Sequence, residues 1–232
     1  PFAGYRRRID DPVLFAGTAL REALAAAGVD VASREIRRGA APESAVEIAR
    51  HVSEPLGAWL RHLGKESSNF HAEQLLRILG AEGKGAPGAA EAGAEVVLEA
   101  LAEMGVDTAR ISIRNGSGLY DGGRAGARAV AAVLAAAYAD PRIRPEFLAH
   151  LSIVGVDGTA GTRMPGSPAR GLVRAKTGTL AGTFALSGYV LAPQGHGGYA
   201  FSTIVNNAAG QATAARNLQD SIVRALADCT SR

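Results

Sequence analysis

The sequence of 232 residues predicts an α+β protein in which an antiparallel sheet is flanked by helices. Three observations lead there. Helical patterns dominate the chain up to Tyr138; three apolar, β-rich runs then follow one another at 172–175, 183–191 and 199–205; and an amphipathic helix at 213–227 closes the sequence. Consecutive β-rich runs joined by Gly-rich turns make an antiparallel meander, whose apolar face the helices must cover.

The elements are read in order from periodicity and punctuation. Residues 11–27 form a helix that Asp10 or Asp11 can cap, with Pro12 in its first turn and Gly28 at its end. "VDVASREIRRG" and "SAVEIARHVS" alternate apolar with polar residues and predict a short antiparallel strand pair. A second helix is expected at 55–62, and "GKESSN" breaks it from a third at 70–79, where Ala72, Leu75, Leu76 and Leu79 share one face. "GAEGKGAPGAAEAGA" is flexible by composition and reads as a surface loop, after which a helix runs from about 91 to 105. A strand at "ARISIRNG", a turn at "GSGLYDGG", an Ala-rich helix over about 124–138 and a long loop at "GVDGTAGTRMPGSPARG" lead into the meander.

Composition bounds the function. An apolar fraction of 47% with few aromatics gives a core of Ala, Val, Leu and Ile, and excludes disorder for most of the chain. A formal charge of +3 with scattered basic residues, Arg6 to Arg8 being the densest run, argues against a nucleic-acid partner. One cysteine, Cys229, permits no internal disulfide, and no apolar run is long enough to span a membrane. The chain starts at Pro1 without an initiator Met and reads as a piece of something longer.

Lysine occurs only at 65, 84 and 176, so Lys176 in "AKTGT" looks chosen as lysine rather than as any cation. On a strand it stands at a fixed height, Gly178 leaves room for a ligand backbone, and Thr177 and Thr179 offer hydroxyls to a carboxylate. Alone, the tripeptide is equally an edge-strand charge followed by a turn glycine. "ESSN" presents the same ambiguity: Ser67, Ser68 and Asn69 are all good N-caps, but a hydroxyl and an amide at a helix entrance can also point into a cleft. Other candidates are weaker. His51, His62 and His71 share no metal-ligand spacing, and His62 and His71 read as solvated helix positions. Glu73 reads as an acidic residue favoured by the helix dipole. "GVDGTAGT" lacks the G-K-[ST] ending of a phosphate loop. No metal or cofactor is implied.

Taken together and in this order, S-x-N at Ser67 and Asn69 and K-T-G at Lys176 to Gly178 resemble the penicillin-recognising serine enzymes, whose signature is S-x-x-K, S-x-N, K-T-G. "HVSEPLGAWLRHLGKESSNFHAEQLLRILG", "NGSGL", "GVDGTAGTR" and "VRAKTGTLAGTFALSGYV" narrow the resemblance to the low-molecular-mass penicillin-binding proteins of the D-alanyl-D-alanine carboxypeptidase type, peptidase family S13, over nearly the whole chain. The resemblance implies a transpeptidase-like, serine β-lactamase-like fold with a five-stranded sheet. It also implies a serine acyltransferase acting on the D-Ala-D-Ala end of peptidoglycan stem peptides, inhibited by β-lactams and working in the periplasm or otherwise outside the cytoplasm. By that analogy Ser67 relays a proton to the leaving amine, and Asn69 holds a neighbouring lysine or a substrate amide. Lys176 biases the serine–lysine cluster, Thr177 and Thr179 grip the terminal carboxylate beside Gly178, and the Thr179 N–H forms half of an oxyanion hole.

Two departures stand out. No lysine lies three residues after a serine: residue 62 is His, 81 is Ala and 173 is Val. The resemblance therefore makes residues 1–232 the C-terminal part of one transpeptidase-like domain, inert alone, with the nucleophile and inserted domains missing. At "GSGLYDGG" the family commonly has Ser-Arg where this chain has Tyr120 and Asp121, which puts diaminopimelate-type selectivity in doubt. Two other classes remain open, a serine β-lactamase and a non-catalytic module binding wall peptide or a partner protein.

Overall fold

The computed structural model describes residues 9–33, 35–40, 42–120, 123–192 and 198–230. The chain divides into two units, Pro1–Val52 and Ser53–Arg232. In the first, α1 (Pro12–Ala26) is capped by Asp11, whose carboxylate accepts a 3.0 Å hydrogen bond from Leu14 N, and Gly28 leaves the helix at φ +80°. The strand pair expected from the alternation after it is not there: the described residues of 29–52 contain no strand. Val46 and Ile48, which set the alternation, are 82% and 97% exposed. Period-2 patterning makes a strand only where a neighbour covers its apolar face, and a lone pair is marginal in water.

The second unit begins with α2 (Leu56–Glu66), α3 (Asn69–Lys84) and α4 (Ala90–Glu103). α2 runs four residues past its expected end and α3 five, so the expected long loop shrinks to 85–89. The glycines there serve packing rather than flexibility. A Cβ on Gly93 would lie 1.8 Å from Leu76 O, so α3 and α4 can touch backbone to backbone only because Gly93 has no side chain. The strand expected over 109–116 contracts to β1 (Ser112–Ile113), paired with β2 (Gly123–Arg124). Then come α5 (Ala127–Ala139), the short α6 (Arg144–His150) and β3 (Ser152–Ile153), the last two unmarked by any long periodic run.

β4 (Val173–Leu180), β5 (Thr183–Leu191) and β6 (Gly198–Val205) form the meander, and α7 (Ala212–Thr230) ends the fold. The sheet order is β3-β4-β5-β6, antiparallel throughout. This sheet thus has four strands among the described residues where the resemblance suggested five: the three strands of the meander and the two-residue β3. Alternation divides the sheet's faces. Val173, Ala175, Leu186 and Val190 point to the core beneath α7 with Val223 and Ala227. Tyr189 points the other way, to Leu134 of α5 and Phe147 and Leu148 of α6. Its hydroxyl donates to Leu134 O at 2.7 Å, and burial pushes the phenol up to about 12, with Tyr138 adding to the shift.

Candidate active site

The junction of α2 and α3 resolves the ambiguity of "SSN". Ser68 takes the capping work: its extended backbone precedes α3, its hydroxyl accepts from His71 N at 3.4 Å, and it shares a 2.7 Å hydrogen bond with His71 Nδ1. That leaves its neighbours free. Ser67 ends α2 in the left-handed region at φ 55°, ψ 48°, a conformation that L-residues other than Gly, Asn and Asp rarely adopt. Such backbone strain is concentrated at functional sites. The reversal aims the Ser67 hydroxyl across to the sheet, where it accepts a 2.6 Å hydrogen bond from Lys176 Nζ. Asn69 opens α3 and lines the same cleft.

Lys176 stands on β4 opposite Ser187, on the face away from the α7 core. Its ammonium also donates to Thr177 O at 3.1 Å, leaving one of three N–H donors for a third group. Burial lowers its pKa, because desolvation disfavours the charged form. Thr177 donates to Thr159 Oγ1 at 2.7 Å. β3 pairs only with Arg174 and Ala175, so from Lys176 onward the outer edge of β4 has no strand partner among the described residues. An unpaired edge can hydrogen-bond an extended peptide. Beside it opens a cleft of about 1080 Å³ that Ser67, Asn69, Lys176, Thr177, Gly178 and Thr179 all line.

Three further sets of contacts hold the walls. Lys65 Nζ donates to Asp157 Oδ2 at 2.6 Å, and Asp157 Oδ1 accepts from Ile153 N at 2.6 Å, pinning the end of α2 to β3 two residues before Ser67. Burial pushes the Asp157 carboxyl up, but the Ile153 N–H and Lys65 outweigh it and hold the group below its ordinary value. Glu73 does more than complement a dipole: it accepts from Gly116 N at 3.2 Å and from Ser117 N and Oγ at 3.0 and 2.5 Å. Burial raises the Glu73 carboxyl, and those bonds more than offset it, leaving the pKa lowered. The contact fixes the "NGSGL" loop on α3, so close that a Cβ on Gly116 would meet Ala72 O at 2.1 Å. On the far wall Arg163 pairs with Asp220 of α7.

Sequence reasoning missed Thr159, Lys65 with Asp157, and the tethering by Glu73. The first two were signalled only by polar residues inside "GVDGTAGT", read as a loop. His71 is not the solvated helix position expected; it packs edge-on against Trp59 at 4.5 Å and lies 4.9 Å from His62, and burial, with a smaller contribution from His62, lowers its pKa. No group of three metal-ligating side chains occurs among the described residues. No helix among them is long and apolar enough to cross a membrane. Asp121, Arg6, Arg7 and Arg8 lie outside the described residues.

The chain is 39% identical over 230 residues to the D-alanyl-D-alanine carboxypeptidase of Actinomadura sp. (strain R39), covering 96% of this chain and 41% of that protein. It is 34% identical over 229 residues to carboxypeptidase DacB of Mycolicibacterium smegmatis, covering 96% of this chain and 48% of the relative. The chain therefore spans less than half the length of these curated relatives. In fold it resembles penicillin-binding protein 4 (dacB) of Haemophilus influenzae, with a TM-score of 0.76 and 23% identity over 93% of this chain and 50% of that one. A predatory endopeptidase of Bdellovibrio bacteriovorus, solved with its immunity protein, gives a TM-score of 0.63 at 17% identity, covering 99% of this chain and 64% of that one. The family model of the D-Ala-D-Ala carboxypeptidase 3 (S13) family matches residues 3–229, and the chain belongs to that family.

Proposed function

We propose that this chain supplies the S-x-N and K-T-G walls of a serine acyl-transfer site. On this reading it is the C-terminal part of a single transpeptidase-like domain, and the acylating serine and its lysine base are carried outside these 232 residues. The whole protein is then a serine-type D-Ala-D-Ala carboxypeptidase or endopeptidase of peptidoglycan stem peptides, acylated by β-lactams and acting in the periplasm or otherwise outside the cytoplasm. One observation carries the reading: Lys176 and Ser67, 109 positions apart in sequence, meet through a 2.6 Å hydrogen bond on the wall of an open cleft.

The chemistry follows from the positions. A stem peptide lies along the free edge of β4, its terminal carboxylate at Thr177 and Thr179. The serine gives its proton to its lysine base, which returns it by way of Ser67, as the serine oxygen adds to the penultimate D-Ala carbonyl and the Thr179 N–H supports the oxyanion. The C–N bond breaks, Ser67 passes a proton to the departing D-Ala amine, and water then hydrolyses the ester. Lys176, desolvated and already bonded to Ser67, keeps a donor for the incoming serine. Asn69 meets the substrate amide. No metal or cofactor enters any step. The S13 match over residues 3–229 supports this reading over a β-lactamase.

The test is release of D-alanine from N-acyl-D-Ala-D-Ala by the full-length protein. Turnover is expected, with Lys176→Ala and Ser67→Ala each lowering kcat by about 10²-fold or more, the cost typical of losing one electrostatic or proton-transfer group. Absence of both D-alanine release and cleavage of cross-linked stem peptides by the full-length protein sinks the reading and favours a non-catalytic wall-peptide module.

A further inference from the structure

We propose that Arg216 is a substrate-binding residue that selects ligands with a free α-carboxylate on the leaving residue; this rests on the D-Ala-D-Ala reading of the cleft. Arg216 lies on α7 and lines the cleft together with Thr179 and Phe184. Its guanidinium carbon sits 5.8 Å from the centroid of the Phe184 ring. Phe184 is the register partner of Thr179, and directly opposed residues of an antiparallel pair project side by side, Cβ atoms about 4.5–5.5 Å apart. The guanidinium thus shares the cleft wall at the end of β4 with Thr179, across the Phe184 ring.

The helix that carries Arg216 is fixed relative to that strand end. Arg163 Nη2 donates to Arg216 O at 3.0 Å and pairs with Asp220, while Gln219 Nε2 donates to Phe184 O at 3.0 Å. Charge is distributed unevenly along this wall. Arg163 is neutralised by Asp220, and Lys176 is committed to Ser67 and the Thr177 carbonyl. Arg216 is exposed, its guanidinium lies over Phe184, and among the described residues no hydrogen bond or ion pair holds its terminal nitrogens. Arg224, also on the cleft, lies eight residues on, about 12 Å farther along the helix axis. A planar guanidinium over an aromatic ring, at the strand end that carries Thr179, presents the two-pronged donor set that matches a carboxylate.

The test uses the full-length protein and a hydrolysis-resistant N-acyl-D-Ala-D-Ala analogue, the scissile carbonyl reduced to CH2, ending either in a carboxylate or in a carboxamide. Calorimetry should show Arg216→Gln losing tenfold or more in affinity for the carboxylate form and less than twofold for the amide, with Arg216→Lys recovering part of the loss. Unchanged carboxylate binding in Arg216→Gln overturns the assignment, and so does an equal loss for both ligands, which would mark a structural prop for Phe184. Labelling of the same preparations with fluorescent penicillin reports separately on the acyl-transfer reading. A protein that takes no label defeats that reading, while the ligand pair still decides whether Arg216 selects a carboxylate.

Discussion

Ser67 shows how one side chain can be held in a costly conformation for the sake of where its hydroxyl points. At φ 55° its Cβ crowds the backbone, at about 1–2 kcal/mol for an L-residue. Glycine at this position removes that crowding and the hydroxyl together, whereas alanine removes only the hydroxyl. Ser67→Gly is therefore expected to be more stable than Ser67→Ala by about 1 kcal/mol in chemical denaturation, although both lose turnover. Equal stability of the two variants contradicts the left-handed placement. Capping propensity alone could not assign this role, because "SSN" offers three capping residues in a row; the S-x-N signature pointed to Ser67, and the fold shows that Ser68 does the capping. Lys176 was more legible, since three lysines among 25 basic residues make each one conspicuous.

The loop at 115–119 is built by the same logic as the helix pair α3 and α4, through glycine where backbones touch. Asn115 Oδ1 accepts from Gly118 N and Asn115 Nδ2 donates to Leu119 O, both at 2.7 Å, so the turn is rigid before Glu73 fastens it to α3. Gly116→Ala should push the loop off Ala72 O, costing about 1–3 kcal/mol of stability and lowering turnover with it. A change below about 0.5 kcal/mol, the range of surface substitutions away from special features, would mean that the loop is not seated as described. Elements with clean periodicity were readable from sequence: α1, β5 and α7 lie within three residues of their expected bounds. Failures had physical causes. "GAEGKGAPGAAEAGA" looked flexible because small residues serve both loops and close helix packing, and the alternation at 46–52 lacked a neighbour to make it a strand. β4 extends through Lys176 to Leu180 past its expected apolar run, since pairing with β5 carries polar residues into the ladder.

Across the whole molecule, the cleft exists because the meander delivers one strand edge and the α2–α3 junction delivers one serine to the same place. Lys65 with Asp157, Glu73 with Ser117, and Arg163 with Asp220 fasten its walls. Local patterns could not have brought Ser67 and Lys176 together; only the order of motifs, matched to a known signature, anticipated the meeting. The same signature calls for a serine followed three residues later by lysine, which these residues do not contain. On the proposed reading, Lys176 and Ser67 face a nucleophile from outside this stretch of sequence. Mass-spectrometric mapping of the penicillin adduct on the full-length protein locates that nucleophile. The adduct is expected on a serine of an S-x-x-K motif outside these 232 residues, and Lys176→Ala should slow its formation by about 10²-fold. An adduct on Ser67, or on any other serine of this chain, contradicts that reading.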